Sequence, residues 1–403
     1  MTPAEESRRL FRFFRLCNPN SVDHETGISF TRFDMVSRYR HLLPGSDRRC
    51  EVHGLRFQGP DSELHPEAIH VPDSDILENL RFNYYVVDRI NRSKPADGVI
   101  VLFHGLNEKS WEKYLPWALR LVRGTGKPVL LFPLAFHMDR APRAWIEPRS
   151  MSRLSRERAV RHPAIRAQSL ANAALSERLE ADPLRFAWSG LQSLYDILYL
   201  CRRIKAGLHP GIRPNPRIDI FAYSIGAFLA LIGIMADPGN LFSKSRLFSF
   251  CGGCVLNRTV PTSRYIMDSE ANIALYSLYV EHMETEMAAN PRLAHYMSPM
   301  HPEGRYFLSL LDLHKMADFR ERRLFELRNR IRALALDKDR VMPPMEVAYT
   351  LQGRQKRIPI RVLRRDFDYD YAHENPFPGN NVDPRRVSRA LDRTFATASR
   401  FLS

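Results

Sequence analysis

The sequence predicts an α/β protein, with a mostly parallel central sheet of about eight strands flanked by helices and interrupted by helical insertions. Three observations predict it. Residues 99–103 (Val-Ile-Val-Leu-Phe) and 128–132 (Pro-Val-Leu-Leu-Phe) are continuous apolar runs of the kind buried on both faces of a parallel sheet. Between them, residues 113–123 carry helical spacing, so strand, helix and strand follow one another over the short distance of a parallel crossover. Third, residues 217–226 (Arg-Ile-Asp-Ile-Phe-Ala-Tyr-Ser-Ile-Gly) pass from a short buried strand through Ser224 into an apolar run of helix length, 226–235.

Composition narrows the class. An apolar fraction of 44% and a charged fraction of 26% in 403 residues are ordinary for a globular protein and exclude a disordered chain or a coiled coil. No apolar run reaches the roughly 20 residues needed to span a bilayer. Arg12 and Arg15 interrupt the apolar residues near the N-terminus, so no secretory segment is expected and a cytoplasmic location is. Five cysteines (Cys17, Cys50, Cys201, Cys251, Cys254) form an odd, sparse set that does not suit a disulfide framework. Lys and Arg (60) outnumber Asp and Glu (45), a net charge of +15. Such a field would favour anionic partners. The Arg residues are dispersed, however, and no nucleic-acid module is present, so a solvated basic surface is expected and nucleic acid is not.

In chain order, Thr2-Pro3-Ala4-Glu5 reads as a capping box with Pro at the first helical position. The helix it starts gathers Leu10, Phe13, Phe14 and Cys17 on one face, with Arg8, Arg9, Arg12 and Arg15 around it. Such a face would suit either peripheral membrane contact or docking on the protein's own core, and docking is expected. Residues 51–57 and 80–87 look like antiparallel lead strands, with a loop over 59–75 between them. Residues 137–182, rich in Arg and interrupted by Pro142, Pro148 and Pro163, suggest a helical insertion or lid. A helix is expected over 184–204 and a strand over 247–250. The region 262–330 is mostly helical in pattern, with Leu275, Leu278, Tyr279, His282 and Met283 at core spacing. Residues 332–336 and 358–363 are the last strands, and Asp383-Pro384 opens a closing helix. The expected organisation is therefore a helical extension (1–49), a first part of the core (50–136), the insertion or lid (137–182), the core around Ser224 (183–261), a helical cap (262–330) and a final part of the core (331–403).

Strand, Ser between small residues, then helix is the layout of a nucleophile elbow. A sharp turn there lifts the hydroxyl out of the sheet, while the next N–H and the helix N-terminus face a developing oxyanion. Ala222 and Gly226 flank the Ser, giving Ala-x-Ser-x-Gly, one methyl from the usual Gly-x-Ser-x-Gly. Residues 336–343 (Leu-Asp-Lys-Asp-Arg-Val-Met-Pro) follow a strand and present Asp339, with Asp337 as second choice. The loop before the closing helix holds one His, His373.

Two lead strands, a strand ending in His104-Gly105, a crossover, the elbow, and then an acid and a His in chain order resemble the α/β-hydrolase superfamily. The resemblance covers roughly residues 80–136 and 184–403. It implies that Ser224 is a nucleophile, His373 its base and Asp339 the orienting acid. It also implies an oxyanion hole from the N–H groups of Leu106 and Ile225, with His104, Gly105 and Gly226 in support. The substrate implied is a small acyl compound, anionic character suiting the charge, cleaved by a carboxylesterase- or lipase-like serine hydrolase. The alternatives are an acyltransferase on the same residues and a non-catalytic small-molecule-binding protein. The polar loop after Leu106 offers Asn107 as a pocket residue, whereas Trp111 suits core packing.

No cofactor and no metal are expected: a P-loop, a dinucleotide-binding glycine motif and His-Glu-x-x-His are all missing from the sequence. Cys251-x-x-Cys254 lacks a second pair and reads as a tight Gly-Gly turn. Asp366, Asp368 and Asp370 lack the glycine and closing Glu of a calcium loop and read as a solvated loop.

Overall fold

A computed structural model describes residues 2–58 and 71–403. Its main sheet has nine strands: β1 (Asn20–Asp23), β2 (Ile28–Val36), β5 (Arg81–Arg89), β6 (Ala96–Phe103), β7 (Val129–Leu131), β8 (Ile212–Tyr223), β9 (Leu247–Phe250), β10 (Ile331–Leu336) and β11 (Arg361–Arg365). A separate two-stranded hairpin pairs β3 (Arg49–Cys50) with β4 (Leu55–Arg56). The order across the sheet is β1-β2-β5-β7-β6-β8-β9-β10-β11. From β7 to β11 all pairings are parallel, while β1, β2 and β5 meet their neighbours antiparallel. This is the α/β-hydrolase fold with one extra edge strand.

Alternation along the central strands builds two cores. Val99, Val101 and Phe103 of β6 and Ile218, Ile220 and Ala222 of β8 face the helices Arg185–Lys205 and Ile225–Ala236. Ile100 and Leu102, with Phe221 and Tyr223, face the helices Leu115–Thr125 and Pro384–Leu402. Because both faces are covered, residues 99–103 of β6 read as an unbroken apolar run and residues 218–223 of β8 as an apolar run broken only by Asp219, which is buried and paired with Lys127 at 2.7 Å. The N-terminal helix Pro3–Arg15 has the expected capping box and buries Leu10 and Phe14 in the second core. Among the described residues, no helix is long and apolar enough to cross a membrane.

The first lead strand lies elsewhere than expected. It is β2, which pairs with β5 over Ile28↔Arg89 to Val36↔Arg81, and the expected helical extension 1–49 therefore carries two strands of the main sheet. In β2 the buried positions Ile28, Phe30 and Met35 shift phase midway, which hides the period of two. Residues 51–57 instead turn at Gly54, whose φ of +65° suits glycine, and close the small hairpin. Of the loop expected over 59–75, residues 59–70 lie outside the described residues, and Asp73–Asp75 forms a 3-10 turn. In the cap, Leu275, Tyr279 and Met283 are buried as the spacing required, but His282 is exposed because a π-helical turn, Ser277–Glu281, rotates the face before it.

The two insertions are fastened together. Arg158, on the helix Pro148–Arg161, meets Asp268 through two hydrogen bonds of 2.9 Å, and both side chains are fully buried. Asp268 also caps the helix Ser269–Tyr276, so one carboxylate holds both the ion pair and a helix end.

Candidate active site

The site sits beyond the C-terminal ends of the parallel strands, where the chain leaves the sheet. Ser224 follows β8 at φ 57° and ψ −123° and is the N-cap of the helix Ile225–Ala236. A non-glycine residue there is strained, at a cost on the order of 1–3 kcal/mol. Close packing enforces the turn. A Cβ on Gly226 would lie 2.6 Å from the His104 carbonyl oxygen, and one on Gly252 would lie 2.9 Å from that of Ser224. Ala222, fully buried, is accommodated between β6 and β9, paired with Phe103 and Ser249.

The structure brings the three expected polar side chains together. Ser224 Oγ is 2.7 Å from His373 Nε2, and His373 Nδ1 is 2.8 Å from Asp339 Oδ2. Asp339 Oδ1 accepts from the N–H groups of Val341 (2.9 Å) and Met342 (2.8 Å), which fixes the carboxylate. All three are at most 4% exposed. Asp337 is not part of this set: it pairs with Arg364 at 2.9 Å on the outside of the sheet edge.

His104 is fully buried at the end of β6. Its Nε2 accepts from the Leu134 N–H (3.0 Å) and its Nδ1 donates to the Gly105 carbonyl (2.8 Å). Burial, reinforced by the neighbouring His137, holds it well below the ordinary imidazole range, so it is neutral and braces the loop. Gly105 packs against the Tyr223 ring, where a Cβ would come within 3.0 Å, and its N–H donates to the Tyr114 hydroxyl (3.0 Å). The N–H groups of Leu106 and Ile225 have no hydrogen-bond partner among the described residues. Both residues line the same apolar cavity of about 80 Å³, whose wall includes Phe186, Phe228, Leu229 and Phe307.

On the other side of Leu106 lies a larger, more polar cleft of about 790 Å³, reached by Asn107, Lys109, Lys113 and Glu374. Burial and then Arg178 lower Lys109 to about 8. Asn107 donates to the carbonyls of Ala171 (2.9 Å) and Tyr265 (2.7 Å), joining this loop to both insertions. Trp111 is buried against His104, with ring centroids 5.5 Å apart.

Two residues were not anticipated from the sequence. The Tyr223 hydroxyl donates to the His373 carbonyl, and its ring stacks on the imidazole. Lys113 Nζ donates to the Glu374 carbonyl at 2.9 Å and lies 4.8 Å from the centre of the Tyr223 ring. In the sequence Tyr223 is one more aromatic residue at a strand end, and only its place immediately before Ser224 marks it. Cys251 and Cys254 are buried free thiols. Burial and the Asp339 charge push both well above the ordinary thiol range, so neither is reactive, and their Gly252 supports the elbow. Asp366, Asp368 and Asp370 stay at the surface, where Asp368 pairs with Arg386 at 2.9 Å.

The fold is thus that of the α/β hydrolases. Within it, residues 1–403 match the model of a family of unknown function, DUF6051, and the chain belongs to that family. No curated protein sequence matches. Among solved structures, the chain is similar to a thermostable esterase from Pseudomonas putida, at 11% identity and a TM-score of 0.46, covering 100% of this chain and 91% of that one. It is also similar to an S-formylglutathione hydrolase from Agrobacterium tumefaciens, at 12% identity and 0.45, covering 95% and 98%. A third similarity is to carboxyl esterase 2 from the mycorrhizal fungus Tuber melanosporum, at 10% identity and 0.44, covering 80% and 84%.

Proposed function

We propose that the protein is a serine hydrolase that cleaves an ester-like or related acyl bond through an acyl-enzyme. Ser224 attacks the carbonyl carbon and His373 Nε2 takes the hydroxyl proton. Asp339 holds Nδ1–H and stabilises the imidazolium that forms. The Leu106 and Ile225 N–H groups receive the oxyanion, each typically contributing about 3 kcal/mol to the transition state. Collapse of the tetrahedral intermediate expels the leaving group, which takes the proton from His373. Water then repeats the sequence on the acyl-enzyme, with His373 as base, and releases the acid and free Ser224.

The observation that carries this reading is the unbroken pair of hydrogen bonds, 2.7 and 2.8 Å, that ends on a serine held in a strained strand-to-helix turn. The cavity beside Leu106 and Ile225 suits a short apolar acyl group. The polar cleft suits the leaving group; Lys113 is already paired with Glu108 there, which leaves Lys109 to favour one that carries negative charge. Residues 137–182 and 262–330 act as lid and cap, as the Asn107 bridge to both of them supports. The test is hydrolysis of p-nitrophenyl esters of increasing chain length, with and without an added alcohol. Turnover of short esters that is lost in Ser224→Ala supports the reading, and transfer to the alcohol outrunning hydrolysis would replace it with acyl transfer.

A further inference from the structure

Far from Ser224 in sequence, four side chains with metal-binding atoms converge between the β3–β4 hairpin and the cap. Cys50 ends β3 and His53 lies in the hairpin turn. His295 is on the helix Pro291–Tyr296, and His301 is the N-cap of the helix Pro302–Ser309. Cys50 Sγ is 3.4 Å from His53 Nδ1 and 3.4 Å from His301 Nε2. His295 Nε2 is 3.2 Å from both of those nitrogens, and all four atoms lie within 4.8 Å of one another.

We propose that Cys50, His53, His295 and His301 form a four-coordinate zinc site that pins the hairpin to the cap. Zinc bonds of about 2.0–2.1 Å to nitrogen and 2.3 Å to sulfur put tetrahedral ligands about 3.3 Å apart for two nitrogens and about 3.6 Å apart for nitrogen and sulfur. Four of the six edges, Cys50–His53, Cys50–His301, His53–His295 and His295–His301, match those lengths within a few tenths of an ångström, and the remaining two are at most 4.8 Å, a gap that closure around one ion would shorten. The imidazole rings are arranged for a shared central ion and not for stacking on one another: His53, His295 and His301 stand at 81–88° to one another, with centroids 4.9–5.1 Å apart. One thiolate with three imidazoles is a donor set that selects zinc over magnesium or calcium. Four protein ligands leave no open position, so the site is structural, not hydrolytic.

The surroundings support ligation. His301 Nδ1 is 3.1 Å from Glu303 Oε1 and 3.0 Å from the Tyr195 hydroxyl, which directs the lone pair of Nε2 at the other three ligands. Cys50 and His301 are buried, whereas His53 and His295 are half-buried at the rim. Tyr296, between the two cap histidines, donates to the Arg49 carbonyl at 3.0 Å and so holds the hairpin in register. The site also reaches the proposed acyl pocket, because Glu303 and Gly304 line that cavity. This proposal replaces the sequence-based expectation of no metal: Cys50 and His301 are separated by 251 positions, and no short motif joins them.

The test is the metal content of tag-free protein by mass spectrometry, together with cobalt uptake after chelation. About one zinc per chain is expected, with chelation lowering Tm and zinc, not magnesium, restoring it. His53→Asn and His295→Asn, both at half-buried positions, should leave the far-ultraviolet circular dichroism unchanged and bind zinc at least tenfold more weakly. Cobalt in the wild type should show thiolate charge-transfer absorption, which Cys50→Ser abolishes while cobalt absorption from imidazole ligation remains. A folded, stripped wild type that takes up neither metal would overturn the proposal, as would uptake that the two His substitutions leave unchanged.

Discussion

The ring of Tyr223, the residue before Ser224, lies against the His373 imidazole at 5.4 Å between centroids and 16° between planes, and its hydroxyl donates to the His373 carbonyl. One residue thus forms part of the strand that presents the serine and also a brace for the loop that presents the base. Tyr223→Phe keeps the stacking and leaves a buried carbonyl unpaired, a loss of about 1–3 kcal/mol. The expected result is a fold intact by circular dichroism, kcat reduced roughly tenfold and KM little changed, since the loss falls on positioning. An unchanged kcat would show that the brace is dispensable.

Asp339 and Asp337 provide a matched comparison two residues apart. Asp339→Asn retains an acceptor for the Val341 and Met342 N–H groups but offers His373 the wrong partner, and activity should fall on the order of 10³–10⁴-fold. Asp337→Asn removes only the pair with Arg364, whose side chain is 56% exposed, and should leave steady-state kinetics within about twofold. Reversed results would reassign the acid.

Gly190 lies within the helix Arg185–Lys205 and lines the apolar cavity, and a Cβ there meets nothing within 4 Å. Gly190→Ala should therefore raise stability by up to about 1 kcal/mol through helix propensity. A larger residue, as in Gly190→Leu, should shift ester preference toward shorter acyl chains by filling the cavity. Measured chain-length profiles check this, and a profile that does not move would place the acyl group elsewhere.

Stability should fall in mild acid. His104 and His137 are buried and neutral, with burial lowering His104 well below its ordinary value and His137 to about 4. Unfolded imidazoles titrate near 6.5, so between the native and unfolded values the unfolded chain binds protons that the native state does not. Stability then rises with pH across that window. It is full above about pH 7 and is lost as pH falls from about 6.5 toward 4, by about 1.4 kcal/mol per pH unit for each group. Urea midpoints across this range measure the slope, and His137→Asn should flatten it by about one proton; an unchanged slope would mean that His137 titrates freely.

The sequence made the centre of the sheet legible because β6, β7, β8 and β9 are buried on both faces toward their C-terminal ends and leave apolar runs there, interrupted only by the buried Asp219 in β8 and Ser249 in β9. The elbow was legible because strand, serine and helix are contiguous in the chain. The edges were not. Strand β2 has one face partly open and changes phase between Phe30 and Met35, so residues 51–57 took its place in the reading. Position after a strand singled out Asp339 and His373, but Tyr223 and Lys113 act through contacts that span 150 and 261 residues, and nothing local signals those. The Cys50 and His301 cluster escaped for the same reason.

The central claim is that Ser224 is the nucleophile, activated by His373. Labelling with a fluorophosphonate probe tests it most directly, comparing wild type with Ser224→Ala and His373→Ala and locating the adduct by peptide mass spectrometry. The expected result is stoichiometric labelling of the wild type on Ser224, none in Ser224→Ala, and labelling slowed at least a hundredfold in His373→Ala. No labelling of the folded wild type, or equal labelling of the wild type and Ser224→Ala, would contradict it.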